Sequence, residues 1–519
     1  MIEKGRGPGP RWPWAGGALV AVAAFWIAFV WLWEPAYLTL TVDDSFYYFQ
    51  IARNVAAGLG STFDGVQPTN GYHPLWLAVL VPIAGLPGDE LPVRLALTLQ
   101  VLLVVGGVWW LGRRLPSPVG TAFVGITALA LAAFHATKIV VNGQESALQW
   151  VLLCVAMAYL GGGLASLRHG VILGALGAAL TLARLDAIAF AGVAALLPVL
   201  WPRGGTPVRA RLVTTATALG VLGTGTAGYA AWNLRTFGHP LPVHMAIKAD
   251  WVGAGIESLL LAVVFALALA VSLARIGRRL APGVGADLLY PATPLVAYAG
   301  FLVTAQSFGG WRWLLQLWYL PPLLLLALLV VSTLALSRTG RRVLVAGCLL
   351  WIGPIAWSWH ARLEPRSYST YLGARDTGRW IREALPAQSR IAGWDIGSVA
   401  WHAGGGITNL EGLAATWEYK REVLDRRRVA EYLDEESVDY LVQPFPDASL
   451  TSAFPPDASP HLGKWRVVHT DCRLFESVAP GIPAVHRVHT VLAREDGGTP
   501  TWSELAASGK SPCNGPRLQ

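Results

Sequence analysis

The sequence predicts a polytopic α-helical membrane protein of about 11–13 transmembrane helices, followed by a C-terminal extracytoplasmic α/β domain. Three observations lead there. Of 519 residues, 54% are hydrophobic and 14% charged, against about 25% charged in a soluble domain, and mean hydropathy is +0.45. Apolar runs of spanning length recur between residues 14 and 358. From about residue 359 these runs give way to alternating helix-like and strand-like patterns.

The spans fall near 14–33, 93–112, 119–140, 147–163, 211–232, 257–274, 288–305, 314–336 and 343–358. The stretch 74–87 is short for a crossing, and 171–201 reads as two short spans meeting at Leu182-Ala-Arg-Leu-Asp186. The first run is long and followed by Trp33-Glu-Pro, which reads as a retained helix and not as a cleaved signal. A net charge of +8 raises nucleic-acid binding as a class. The basic residues before 358 lie mostly in short clusters between spans, however, where topology accounts for them. Placing those clusters in the cytoplasm, with the N-terminus, puts the loops 34–74 and 233–256 and the domain 359–519 outside. The expected location is the plasma (inner) membrane of a cell with an envelope. In the outer domain Cys472 and Cys513 could pair as a disulfide in an oxidising compartment. The tail after 478, rich in Pro and Gly, reads as loosely ordered.

Chemistry concentrates in the outer loops. Asp43-Asp44 stands at the start of a segment with Phe46, Phe49, Ile51 and Val55 apolar and Gly58 at its end, the pattern of a helix lying on the membrane surface. One aspartate suffices as a helix cap; its neighbour is then available as a general base or, with it, for a divalent metal such as Mg, Mn or Ca. Thr69-Asn-Gly-Tyr-His-Pro reads as a tight turn with Pro74 opening the next helix, and His73 as a structural or substrate-binding residue. Glu145 caps a helix or faces substrate. Arg184 pairs with Asp186 or contacts substrate. Lys248, then Arg235, with His244 beside them, lie in a loop assigned outside, where cations suit an anionic ligand such as a phosphate. Arg312 shares that side. No Walker sequence, GxGxxG opening a helix after a strand, zinc-spaced cysteines or GxSxG is present.

Together these residues resemble the polytopic GT-C glycosyltransferases that draw sugars from polyprenyl-phosphate carriers, bacterial mannosyl- and arabinofuranosyltransferase-like proteins among them. The residues that carry the likeness are Asp43-Asp44 with Tyr47, Ala52, Asn54 and Gly58-x-Gly60; Thr69-Asn-Gly-Tyr-His-Pro-Leu-Trp76; Gly143-x-Glu145; Arg184-x-Asp186; and Phe237-Gly-His-Pro-Leu-Pro ending in Lys248. In the outer domain they are Asp395-Ile-Gly and Asn409-Leu-Glu-Gly412. The chain departs at Arg184-Leu-Asp-Ala187, where Arg-Pro-acid-Gly is usual, and at His244, where a small polar residue is common. The resemblance implies a hexosyl- or pentosyltransferase. Asp44 or Asp43 would be general base toward an acceptor hydroxyl, and Lys248 and Arg235 would hold the donor phosphate. It implies inversion by single displacement, and a glycan, lipid or protein as acceptor. The alternatives are a flippase or transporter for polyprenyl-linked saccharide, and a non-catalytic envelope assembly protein. The polar residues gather at one side and no internal repeat is visible, which counts against the first; convergence of Asp43-Asp44 with Lys248 separates catalysis from the second.

Overall fold

The structure is a computed structural model that describes residues 13–162, 166–203, 205–252, 256–279, 284–307, 317–335, 365–443, 465–472 and 488–494, with isolated positions between 337 and 363. Helices dominate. The first are α1 (Pro13–Leu32), α2 (Ala36–Leu40), α3 (Asp43–Ala56), α4 (Pro74–Ala84) and α5 (Leu91–Arg114). Next come α6 (Ser117–Leu131), α7 (Phe134–Val140), α8 (Ser146–Gly161), α9 (Leu167–Ala183), α10 (Ile188–Leu200), α11 (Val208–Phe237) and α12 (Val243–Val252). The helical part ends with α13 (Ile256–Arg279), α14 (Val284–Ser307) and α15 (Pro321–Leu334). Among the described residues, segments of α1, α5, α13 and α14 are long and apolar enough to cross a membrane, and five shorter apolar helices accompany them. This is a multi-pass helical membrane protein. The run expected as one span over 119–140 is instead α6 and α7 meeting at 105°. The bend brings the buried Lys138 within 2.6 Å of the Thr39 carbonyl oxygen.

The region 171–201 is two helices, as the sequence suggests, joined by a short 3-10 turn at Leu185–Ala187. By contrast with a helix that has one free face, α3 is covered by protein on more than one side. Gly58 (φ +79) stops it as expected, but Phe46, Tyr47, Phe49, Ile51 and Ala52 are all buried. One side packs on α4 and another on the C-terminal domain.

That domain begins with α16 (Pro365–Ala384) and builds a five-stranded sheet of order β2-β1-β3-β5-β4. Its strands are β1 (Ile391–Gly393), β2 (Ile407–Asn409), β3 (Tyr440–Gln443), β4 (Trp465–Cys472) and β5 (Val488–Arg494). β1 runs parallel to both β2 and β3, while β5 is antiparallel to β3 and β4. Two expectations are corrected here. The tail after 478 supplies β5, an inner strand. The helix expected over 419–434 is broken: a π turn at Lys420–Leu424 ends before Arg427, whose φ is +56, and a separate helix runs over Val429–Glu435. Cys513 lies outside the described residues, so the Cys472–Cys513 pairing does too.

Parallel strands leave loops at their carboxyl ends, and these loops meet α3. Between β1 and β2 lies α17 (Gly397–Ala403), packed against α3. Arg53 of α3 lies over the Trp401 ring, 3.3 Å from its centroid, and Trp401 Nε1 donates to the Asp89 carbonyl oxygen at 2.8 Å. From α16, Arg375 pairs with Glu34, Arg379 with Glu90 and Arg382 with Asp89. Thr69 Oγ1 donates to the Ala415 carbonyl oxygen at 2.9 Å.

Gly71 has a different reason from the tight turn expected of Asn70-Gly71. A Cβ there would fall 1.9 Å from the Leu413 carbonyl oxygen, so glycine is required by the close approach of two backbones. Gly71→Ala is expected to cost about 3 kcal/mol of stability, the upper range for overpacking. Loss of thermal stability in detergent, with faster proteolysis near 413, is the check; a wild-type melting curve would contradict the packing.

Candidate active site

Val42 and not an aspartate occupies the N-cap of α3, and no side chain caps it. Both carboxylates are therefore directed elsewhere. Successive residues on a helix point about 100° apart, and Asp43 and Asp44 separate accordingly. Asp43 Oδ2 accepts from Gly397 N and its Oδ1 from Ser398 N, each at 2.8 Å. Asp44 Oδ2 faces Lys248 Nζ at 3.2 Å, both side chains remaining about a fifth exposed. Burial works against the Lys248 charge, yet Asp44 outweighs it and raises the ammonium pKa.

The loop Asn142–Glu145 is fitted against the start of α3. Ser45 Oγ donates to the Asn142 carbonyl oxygen at 2.6 Å, and Trp76 Nε1 to that of Gly143 at 3.0 Å. Gly143 has φ +84, and a Cβ on it would meet Ser45 at 2.8 Å. This presents Glu145, at the N-cap of α8, to Arg184 at 2.8 Å. Arg184 also binds Asp186 at 3.0 Å, as the sequence suggests, and lies over the Tyr319 ring at 4.6 Å. Tyr48 donates to Glu145 at 3.0 Å, and Tyr298 to Asp186 at 2.8 Å.

The Thr69–Pro74 string serves several partners. Asn70 Oδ1 accepts from Val243 N at 3.0 Å, pinning the start of α12. His73 reaches Glu145 at 3.8 Å and sets its ring edge-on to His244, with centroids 5.1 Å apart. Burial lowers the pKa of both imidazoles, His244 well below the ordinary value. The Nδ1 of each lacks a partner among the described residues. Lys248 and Arg184 supply positive charge beside them.

The C-terminal domain adds two carboxylates. Asp395 follows β1 and Glu411 follows β2, at the carboxyl ends where α/β sheets commonly carry their sites. Tyr47 joins them to α3: its hydroxyl donates to Glu411 at 3.2 Å and accepts from Asn409 Nδ2 at 3.1 Å and Ile396 N at 3.3 Å. Burial, with Asp395 next, pushes the Asp43 and Glu411 carboxyls well above the ordinary carboxylate range.

The structure thus gathers Asp43, Asp44, His73, Glu145, Arg184, His244 and Lys248. Arg235 stands apart, exposed in the last turn of α11. Arg312 lies outside the described residues.

Residues 361–490 match a family described only as a domain of unknown function, DUF8728. No curated protein matches the chain. Among solved structures, the chain is similar to the archaeal oligosaccharyltransferase AglB from Archaeoglobus fulgidus, solved with an inhibitory peptide and a dolichol-phosphate. Identity is 12% and the TM-score 0.45, over 91% of this chain and 74% of that one. ArnT from Cupriavidus metallidurans in the apo state gives 16% and 0.46, over 92% and 97%. The arabinofuranosyltransferase AftD from Mycobacteria gives 16% and 0.41, over 92% and 41%. Likenesses this distant carry no conclusion about chemistry.

A divalent metal does not fit the aspartate pair as it stands. Hard cations take six or more oxygen ligands, whereas both Asp43 oxygens accept backbone N–H groups and Asp44 faces an ammonium. Among the described residues no group of three His, Cys, Asp or Glu side chains is poised for a metal.

Sequence reasoning missed Tyr48, Tyr298, Tyr319 and the inward placement of Asp395 and Glu411. Only the last two carried a signal, an acid directly following a strand.

Proposed function

We propose that this chain is a membrane glycosyltransferase that moves a sugar from a polyprenyl-phosphate carrier to an acceptor hydroxyl on the outer face of the plasma membrane, with Asp44 as general base. The observation that carries the reading is the approach of Asp44 to Lys248, 3.2 Å across 204 residues of sequence. A base and a cation side by side suit a reaction that removes a proton from one oxygen while negative charge gathers on another.

Asp44 accepts the acceptor proton as that oxygen attacks the anomeric carbon. The bond from that carbon to the phosphate oxygen breaks, and the polyprenyl phosphate leaves with the electron pair. Lys248 has three donors, so it can meet the phosphate and still hold Asp44. His73 and His244 stand beside Lys248, and each can donate to that phosphate from a ring nitrogen that carries a proton. Attack opposite the departing phosphate inverts the anomeric centre. Arg184 is held between Glu145 and Asp186 and is assigned to the architecture around the phosphate and not to the phosphate itself.

The test is transfer from a panel of radiolabelled polyprenyl-phosphate sugars to envelope acceptors, with purified protein in lipid. Lys248→Gln is expected to raise the donor KM about tenfold or more, in line with loss of a charge-assisted contact. Arg235→Ala is expected to change it by less than about threefold, as for an exposed charge. Equal effects from the two would move the phosphate away from Lys248.

A further inference from the structure

We infer that the C-terminal domain is a fixed wall of the active site, and that Asp43 is the positioning residue that holds it in place. The inference rests on the assignment of Asp44 above and gives the domain of unknown function a role in the same centre. Asp43 and Asp44 are consecutive, so whatever fixes the first fixes the backbone of the second. Both Asp43 oxygens are occupied by the domain, one by Gly397 N and one by Ser398 N, at 2.8 Å each. Two backbone N–H donors converging on one carboxyl group at this distance make a directional, two-point contact.

The other side of the contact is shaped for it. A Cβ on Gly397 would fall 2.3 Å from the Asp43 carbonyl oxygen and 2.8 Å from Oδ2, so only glycine permits the approach. The preceding Asp395 is held at φ +52, a conformation that persists only where surroundings over-determine it. One turn along α3, Tyr47 takes the Ile396 and Asn409 donors and gives its own proton to Glu411. The turn of helix that carries Asp44 is thus gripped at both ends by the loops after β1 and β2.

The experiment uses the full chain in lipid nanodiscs, with hydrogen exchange over 395–403 measured beside sugar transfer across pH. Asp43→Ala and Gly397→Ala are each expected to raise exchange at 397–398 at least tenfold. Each is expected to lower kcat by about a hundredfold, the scale of a small misplacement, with donor KM little changed. The acid limb of the pH profile remains, because Asp44 is intact. The double variant is no worse than either single one, as partners in one contact require. Asp43→Asn, which keeps a carbonyl acceptor, falls between. Asp44→Asn abolishes transfer yet leaves exchange as in the wild type.

Wild-type exchange in Asp43→Ala would overturn the inference, as would wild-type transfer in Gly397→Ala. So would loss of the acid limb in Asp43→Ala with exchange unmoved, because Asp43 would then be the base. Should the wild type transfer no sugar from any donor, the catalytic reading fails while the exchange comparison still decides whether Asp43 holds the domain.

Discussion

Asp44→Asn is expected to lower sugar transfer by about a thousandfold or more, within the range for loss of a general base. The asparagine is nearly isosteric and can still accept a hydrogen bond from Lys248, so the fold and the meeting of α3 with α12 are preserved. What it loses is the ability to take a proton. Donor binding should survive, because the phosphate contacts assigned to Lys248, His73 and His244 do not pass through Asp44. The measurement is kcat beside donor KM in purified protein, with melting temperature as control. A large fall in kcat at constant melting temperature supports the assignment. Full activity would remove Asp44 from the chemistry and leave its pairing with Lys248 as a structural tie.

The second large effect concerns stability. Arg184→Met is expected to destabilise the protein by about 3–5 kcal/mol, the usual result of removing one partner from a buried ion pair. The Arg184 and Glu145 side chains are each only 4% exposed and lie 2.8 Å apart, with Asp186 completing the group. Methionine fills much of the volume but leaves two carboxylates facing one another with no cation between them. Tyr48, Tyr298 and His73 would lose their alignment in turn, since they bond to or face those carboxylates. Arg184→Lys restores the charge without the planar fork that now meets two acids, and should recover part of the loss. Thermal unfolding of the three forms in detergent is the check. Full stability in Arg184→Met, with donor affinity lost, would make Arg184 a ligand for substrate and not a structural cation.

Much of this was legible in the residues. Apolar runs located most helices within a few positions, since a segment that buries or meets lipid on every side needs little else to mark it. Asp44, Lys248, His73, Glu145 and Arg184 were identifiable because polar groups beside apolar spans need a reason. The structure supplied what spacing cannot. A tyrosine in an apolar stretch reads as interfacial anchoring, so Tyr48, Tyr298 and Tyr319 gave no hint that their hydroxyls or rings meet the charged cluster. Asp43 and Asp44 read as one motif, and only the rotation of α3 against two neighbours divides their tasks. Gly71 carried the signature of a turn, whereas its need arises from Leu413, over 300 residues away. β5 was hidden by the Pro- and Gly-rich composition around it, although Val488-His-Thr-Val-Leu-Ala-Arg has the β-branched content of a strand.

The position of β5 has a bearing on how the protein matures. It pairs with β3 through Thr490–Ala493 and with β4 along its whole length, and Arg494 N donates to the Asp439 carbonyl oxygen. Until a ribosome has passed residue 494, β3 has an unpaired edge and the sheet is unfinished. By then the helices before it have already been made. The sheet beside α3 is therefore among the last described parts to be completed, because one of its inner strands is translated after all the others.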